Sequence, residues 1–153
     1  MHKYEARIHW ERQGASFLDN RFSRAHEWRF DGGLSVPASS SPSSTPEPMS
    51  VAANIDPEEA LVAAASSCHM LWFLYLAGKR GFVVDSYTDE AYGVMAKNGD
   101  GRLAITRVVL RPRVVFGGER GPSKTEIDAL HHESHERCFI ANSLKSEVVI
   151  EGN

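Results

Sequence analysis

Residues 3 to 11 alternate, with Tyr4, Ala6, Ile8 and Trp10 on one side and Lys3, Glu5, Arg7, His9 and Glu11 on the other. A repeat of two is the signature of a strand with one buried face. After a polar turn around Gln13 to Asn20, the stretches Phe22 to Phe30 and Leu34 to Val36 read as short strands, split by the hairpin signal Asp31-Gly32-Gly33. From Pro37 the pattern dissolves: the run to Ser50 holds four of the seven prolines among six serines and a threonine. Such a stretch sustains neither helix nor central strand, so residues 37–55 are expected to form a long mobile loop.

Asp56-Pro57-Glu58-Glu59 then marks a helix start, with Asp as N-cap, Pro at the first helical position and Glu59 completing a capping box. The helix is expected over 56–80, closed by Gly81. Apolar residues cover almost every face of it, from Ala60 to Ala65 and again from Met70 to Ala77, which predicts burial all round. Its apolar length approaches a membrane span, but Ser66, Ser67, Cys68 and His69 interrupt it, so a core helix is the better reading. Two strand patterns follow, Val83 to Ala96 and Leu103 to Phe116, together 83–116 and joined by Lys97-Asn98-Gly99-Asp100-Gly101. A second helix is expected over 123–141, with Ser123 and Glu126 as capping box and Ile127, Leu130, Ser134 and Cys138 as core stripe. Alternation over 144–151 closes the chain with a strand. The order ββ(β)–α–ββ–α–β is α+β, in a single domain over 1–153 whose N-terminal strands occupy 1–36.

Composition narrows the function. With 153 residues and 42% hydrophobic content the chain is long enough to bury a core without disulfide or metal staples, which leaves its two cysteines free for other work. The net charge of -3, with no basic run longer than Lys79-Arg80, lacks the footprint of a nucleic-acid binder. The charged start, Met1-His2-Lys3-Tyr4-Glu5-Ala6-Arg7, has no apolar secretory region, so a cytoplasmic location is expected. In that reducing compartment a pair of cysteines is more often catalytic, redox-sensing or metal-binding than a permanent disulfide.

Cys68 stands in the polar breach Ser66-Ser67-Cys68-His69 of an otherwise apolar helix, where each polar group must find a partner. Cys138 follows a histidine-rich stretch in which His131, His135 and Cys138 share one helix face. Those three with Cys68 could supply four zinc ligands, and His69 could join them, so a metal- or small-ligand-binding stress protein is one alternative. No CxxC or HExxH supports it. The blander reading of the histidines is a solvated helix face whose cations favour the C-terminus. A stress-induced interaction protein with inert buried cysteines is a third reading.

The segment Asp56 to Cys68, followed seventy residues later by His132-Glu133-Ser134-His135-Glu136-Arg137-Cys138-Phe139-Ile140-Ala141-Asn142-Ser143-Leu144, resembles the OsmC/Ohr family of thiol-dependent peroxidases. Glu58 and Cys68 stand at the family's spacing, and Cys138 precedes a short segment and the last strand as the family's second cysteine does. The resemblance implies an OsmC-like fold, antiparallel sheets wrapped around long central helices in an intertwined homodimer with sites at the subunit interface. It also implies that Cys68 attacks an organic hydroperoxide, Cys138 resolves the product as a disulfide, and a dithiol of lipoyl type resets the pair. No cofactor and no metal are expected, and neither a nucleic acid nor a membrane as partner. By position relative to Asp31-Gly32-Gly33 the family's active-site arginine corresponds to Arg24, with Arg21 as the alternative and Arg29 nearby. Glu58 would orient its guanidinium.

The chain departs from the family pattern at Phe139, at His69 and in its long proline-rich loop. Glu58 and Cys68, ten residues apart, are separated by about 15 Å along a straight helix, so one arginine can hardly touch both. Either Glu58 serves a site on a partner chain or the helix breaks between them.

Overall fold

The alternation near the N-terminus produces β1 (Ala6–His9), which pairs antiparallel with β2 (His26–Phe30) in the register Ala6↔Phe30 to His9↔Glu27. β3 (Ser35–Ala38) adds to the other side of β2, giving the order β1-β2-β3. These strands are shorter than the sequence pattern suggested, because residues 22–25 leave the ladder. The computed structural model describes residues 1–151. The chain forms two compact units, one of Met1–Ala60 and one from Leu61 onward.

In the first unit the strand β3 runs through Pro37, which sits opposite Glu27. Proline is tolerated there because β3 is the last strand of the sheet and its outer side needs no N–H donor. The proline-rich stretch folds back on that strand: Ser39 N–H donates to Ile55 O at 2.9 Å, Ile55 N–H to Pro37 O at 3.2 Å, and Val51 N–H to the Ser39 hydroxyl at 2.9 Å. Ser39 and Ser50 are 0% and 2% exposed. The expected mobile loop is therefore a pinned one, its backbone groups satisfied by serine hydroxyls and the sheet edge. A cluster of Trp10, Phe17 and Phe22 closes the 13–20 turn, with Phe17 and Phe22 stacked 4.6 Å apart.

The helix α1 (Pro57–Lys79) begins as the sequence indicates, with Glu59 N–H on the Asp56 carboxylate at 2.8 Å and the Glu59 carboxylate on Asp56 N–H at 3.3 Å. It runs without a break past Cys68. Its buried stripe is Ala65, His69, Phe73, Leu76 and Ala77, while Leu71 and Tyr75 are 60% and 52% exposed, so the helix is buried on one face only.

In the second unit the two long strand patterns each split. β4 (Val83–Asp89) pairs with β7 (Pro112–Gly117), and β5 (Tyr92–Lys97) pairs with β6 (Leu103–Leu110), all antiparallel. The reason lies at Arg111 and Pro112: the Asp89 carboxylate takes Arg111 N–H at 2.6 Å, and Pro112 has no N–H to give, so the ladder cannot continue. The β5–β6 turn uses Gly101 in the left-handed region, φ +74°, with Asn98 N–H donating to Arg102 O.

α2 (Lys124–Arg137) starts on the full Ser123–Glu126 capping box but ends at Cys138, which is its C-cap rather than part of the helix. A short 3-10 turn over Ala141–Ser143 leads to β8 (Glu147–Ile150), parallel to β6. Two clusters hold this unit: Phe73, Leu76, Ala77, Phe82 and Leu130 pack against β4 and β7, and Ala65 packs with Val108, Leu110 and Val148 of β6 and β8.

Candidate thiol site

Cys68 lies midway along α1 and is half-buried; Cys138 is 1% exposed at the end of α2, and both are free thiols. The elements that bring them together are the two cysteine-bearing helices, joined through the Phe73–Leu130 cluster. Burial pushes the Cys138 thiol up, and the neighbouring Cys68 thiol adds to the rise; the Ala141 N–H, which donates to its sulfur at 3.3 Å, opposes it. Cys138 is thereby kept protonated while the two sulfurs remain in each other's field.

Beside Cys68 opens an apolar cleft of about 280 Å³, lined by Cys68, Leu71, Trp72, Tyr75 and Phe139. Trp72 sits one helical turn after Cys68 and meets Phe139, the residue after Cys138, edge to face at 5.5 Å. Tyr75 closes on the same indole at 5.8 Å, and the Arg137 guanidinium lies 5.6 Å from its ring centre. Phe139 is 70% exposed, so the wall of the cleft is an open aromatic surface.

Two members of the polar breach in α1 find partners side by side. The Ser66 hydroxyl donates to the Asp89 carboxylate at 2.5 Å. His69, 1% exposed, forms a hydrogen bond between its Nε2 and His131 Nδ1 at 3.0 Å, the rings stacked within 9°. Desolvation, then the neighbouring His131 and His135, lowers the His69 pKa to about 3. His131 is also lowered by burial, against the pull of Asp128 and Asp89. The histidines of α2 are thus not all solvated: His132 is exposed, His135 half-buried and His131 only 7% exposed. His131 was singled out in the sequence as a candidate ligand, but its partnership with His69 was not legible there. It immediately follows the core residue Leu130 and precedes buried Ser134 by three, which places it on the inner face of α2.

Among the described residues, no three His, Cys, Asp or Glu side chains converge on a site able to hold a metal ion. The four-ligand arrangement of Cys68, His131, His135 and Cys138 is not formed among the described residues; His131 instead turns its Nδ1 to His69.

Arg24 and Glu58 lie in the first unit. Arg24 donates from Nη1 to Asn20 O at 3.0 Å and to Phe22 O, and from Nη2 to Asn20 Oδ1 at 2.8 Å, and its guanidinium covers the Phe22 ring at 3.8 Å. Its carbonyl accepts from His26 Nδ1 at 2.7 Å, and His26 Nε2 in turn accepts from Trp28 Nε1 at 3.0 Å. Glu58 Oε2 is buried and has no hydrogen-bond partner, so the expected Arg24–Glu58 pairing is not made in this chain. Arg21 is exposed, and Arg29 is engaged with Ser35 and Glu27.

A two-unit α+β chain with two thiols at the meeting of its helices defines a class of OsmC-type proteins, and the comparisons agree. The family model described as OsmC-like protein matches residues 50–152, and the chain belongs to that family. An OsmC-like protein of unknown function from Vibrio cholerae O1 biovar eltor is 51% identical over 100% of both chains, with a TM-score of 0.98. An OsmC-like protein from Mycoplasma pneumoniae aligns at 15% identity over 99% of this chain and 96% of its own, TM-score 0.74. The organic hydroperoxide resistance protein OhrB of Bacillus subtilis aligns at 16% identity over 99% and 98%, TM-score 0.69. No curated protein matches the sequence.

Proposed function

We propose that the protein is a cysteine-based peroxidase that reduces organic hydroperoxides. One observation carries the reading: two free thiols from different elements are neighbours beside an apolar cleft, in a chain of the OsmC-like family. The Cys68 thiolate attacks the peroxide O–O bond, taking one oxygen as a sulfenic acid and releasing an alkoxide that is protonated to the alcohol. The Cys138 thiol then condenses with that sulfenic acid, forming the disulfide and releasing water. A dithiol, of lipoyl type, exchanges with the disulfide and restores both thiols as it is itself oxidised.

Arg24 is the cation in this scheme, stabilising the thiolate and donating to the peroxide oxygens, with Glu58 orienting it. Its guanidinium must first release Asn20 and Phe22. Because α1 does not break between Glu58 and Cys68, the scheme takes Glu58 from the partner copy of a homodimer. An active monomer would overturn that part.

The test is to add one equivalent of cumene hydroperoxide to the reduced protein, count free thiols and map disulfides by mass spectrometry. A Cys68–Cys138 bridge formed within seconds supports the reading, and two untouched thiols overturn it.

A further inference from the structure

The two cysteine-bearing helices are tied by one hydrogen bond between buried side chains, the only such bond among the described residues. It joins His69, the residue after Cys68, to His131, which lies two turns before Cys138 on α2. The tie is buried and stacked, and Phe73 closes it from one side, its ring 4.5 Å from that of His131. A second polar link, from Arg80 just past the end of α1 to Glu133 at 2.5 Å, is solvent-exposed and of a kind that contributes little.

Proton bookkeeping assigns the pair a direction. His69 Nδ1 is buried and has no partner. If it carried the proton, an N–H would be stranded in the core, which costs more than an idle lone pair. The proton therefore sits on His69 Nε2 and is donated to His131 Nδ1, leaving the Nε2 proton of His131 for the surface cleft it lines with Asp128 and His132. One neutral imidazole donating to another fixes both ring planes, and with them the register of α1 against α2.

Resting on the peroxidase reading, we infer that His69 and His131 are positioning residues for the second chemical step, holding Cys138 where its sulfur meets the Cys68 sulfenic acid. Attack of peroxide on Cys68 takes place on the face of α1 that opens on the cleft and does not involve Cys138. Condensation with Cys138 needs the two helices in one register, because bond formation depends on a separation of about 3–3.5 Å between reacting atoms. A looser register leaves the sulfenic acid waiting. A second hydroperoxide then converts it to the sulfinic acid, releasing another alcohol, and that product is not resolved by a thiol.

The experiment reads the partition between those two fates. Wild type and variants are oxidised with increasing cumene hydroperoxide, and the ratio of Cys68–Cys138 disulfide to Cys68 sulfinic acid is measured by mass spectrometry beside the rate of the first oxidation. His131→Leu is expected to lower the ratio at least fivefold with the first oxidation changed less than twofold. His131→Asn carries an amide at the level of the lost Nδ1 and is expected to restore the ratio, whereas His131→Gln, one methylene longer, is not. If the Leu variant fails to fold, the Asn and Gln pair carries the comparison. A His131→Leu ratio equal to wild type, or Asn and Gln ratios equal to each other, overturns the inference alone. A wild type that forms no disulfide overturns the peroxidase reading and this inference with it.

Discussion

Trp72 and Phe139 meet edge to face, their ring centres 5.5 Å apart and their planes at 74°, so the residue after Cys138 is pinned one helical turn beyond Cys68. An aromatic pair of this geometry contributes about 0.5–1.5 kcal/mol beyond its buried area. It also forms the wall of the cleft that opens on Cys68.

Phe139→Ala is therefore expected to affect substrate choice more than stability. Removing the ring widens the cleft and takes apolar surface from any bulky substrate held there, while Cys68 keeps its place on α1. The KM for cumene hydroperoxide should rise several-fold, with that for hydrogen peroxide nearly unchanged, and the melting temperature should fall by a few degrees. Steady-state kinetics with the two oxidants check it; equal losses for both would mean that Phe139 acts on Cys138 and not on the cleft.

The roles of the thiols separate by stoichiometry. Cys68→Ser should bring peroxide consumption to the uncatalysed background, because a serine hydroxyl is not a nucleophile of comparable strength at neutral pH. Given one equivalent of peroxide, Cys138→Ser should still consume it and leave a sulfenic acid that a dimedone label captures; excess peroxide should only carry that acid on to the sulfinic acid, without turnover. A Cys138→Ser protein that turns over with a dithiol at the wild-type rate would remove Cys138 from the cycle.

What the sequence made legible, and what it hid, follows from where the signals are local. Both capping boxes, Asp56 with Glu59 and Ser123 with Glu126, form as read, since each depends on four residues alone. The split of the long hairpin was written at Pro112 but hidden by the continuous apolar alternation around it. His131 reads in the sequence either as a metal ligand or as part of a solvated face, because α2 is polar overall and its neighbour His132 is exposed; only the bond to His69 on α1, sixty-two residues away, accounts for its burial. Cys68 stood out because it lies in a polar breach of an apolar helix, and Cys138 because it is the second of the chain's two cysteines, although it fitted the core stripe expected of α2. Arg24 did not, and the contacts that hold it, Asn20 and Phe22, lie in a turn with no periodicity to read.

Arg24 and Arg21 are distinguished by what they touch. Arg24 binds two carbonyls and the Asn20 amide oxygen and covers Phe22, which uses the planar, forked geometry that lysine lacks. Arg24→Lys is expected to slow the first oxidation of Cys68 by roughly tenfold or more, since a point charge cannot donate in parallel to both peroxide oxygens. Arg21→Lys should stay within about twofold of wild type. Stopped-flow oxidation under single-turnover conditions compares them, and the reverse order would move the catalytic assignment to Arg21.

Acid stability should depend on the buried imidazoles. In the folded chain His69 is held at about 3, below its ordinary 6.5, by desolvation and by His131 and His135; His131 is lowered by burial while Asp128 and Asp89 pull it up. The unfolded chain takes up protons near 6.5 and the folded chain does not, so between about 3 and 6.5 the unfolded state binds more protons and stability rises with pH. The contribution of His69 is thus complete above 6.5 and erodes steadily as the pH falls below it. Urea midpoints of the wild type should drop more steeply between pH 6.5 and 4.5 than those of His69→Leu, which keeps the volume and removes the titrating ring. Carboxylates titrate in both proteins and cancel in the difference. Parallel curves would mean that His69 is protonated in the folded state at these pH values, and that the His69–His131 bond is a charged one.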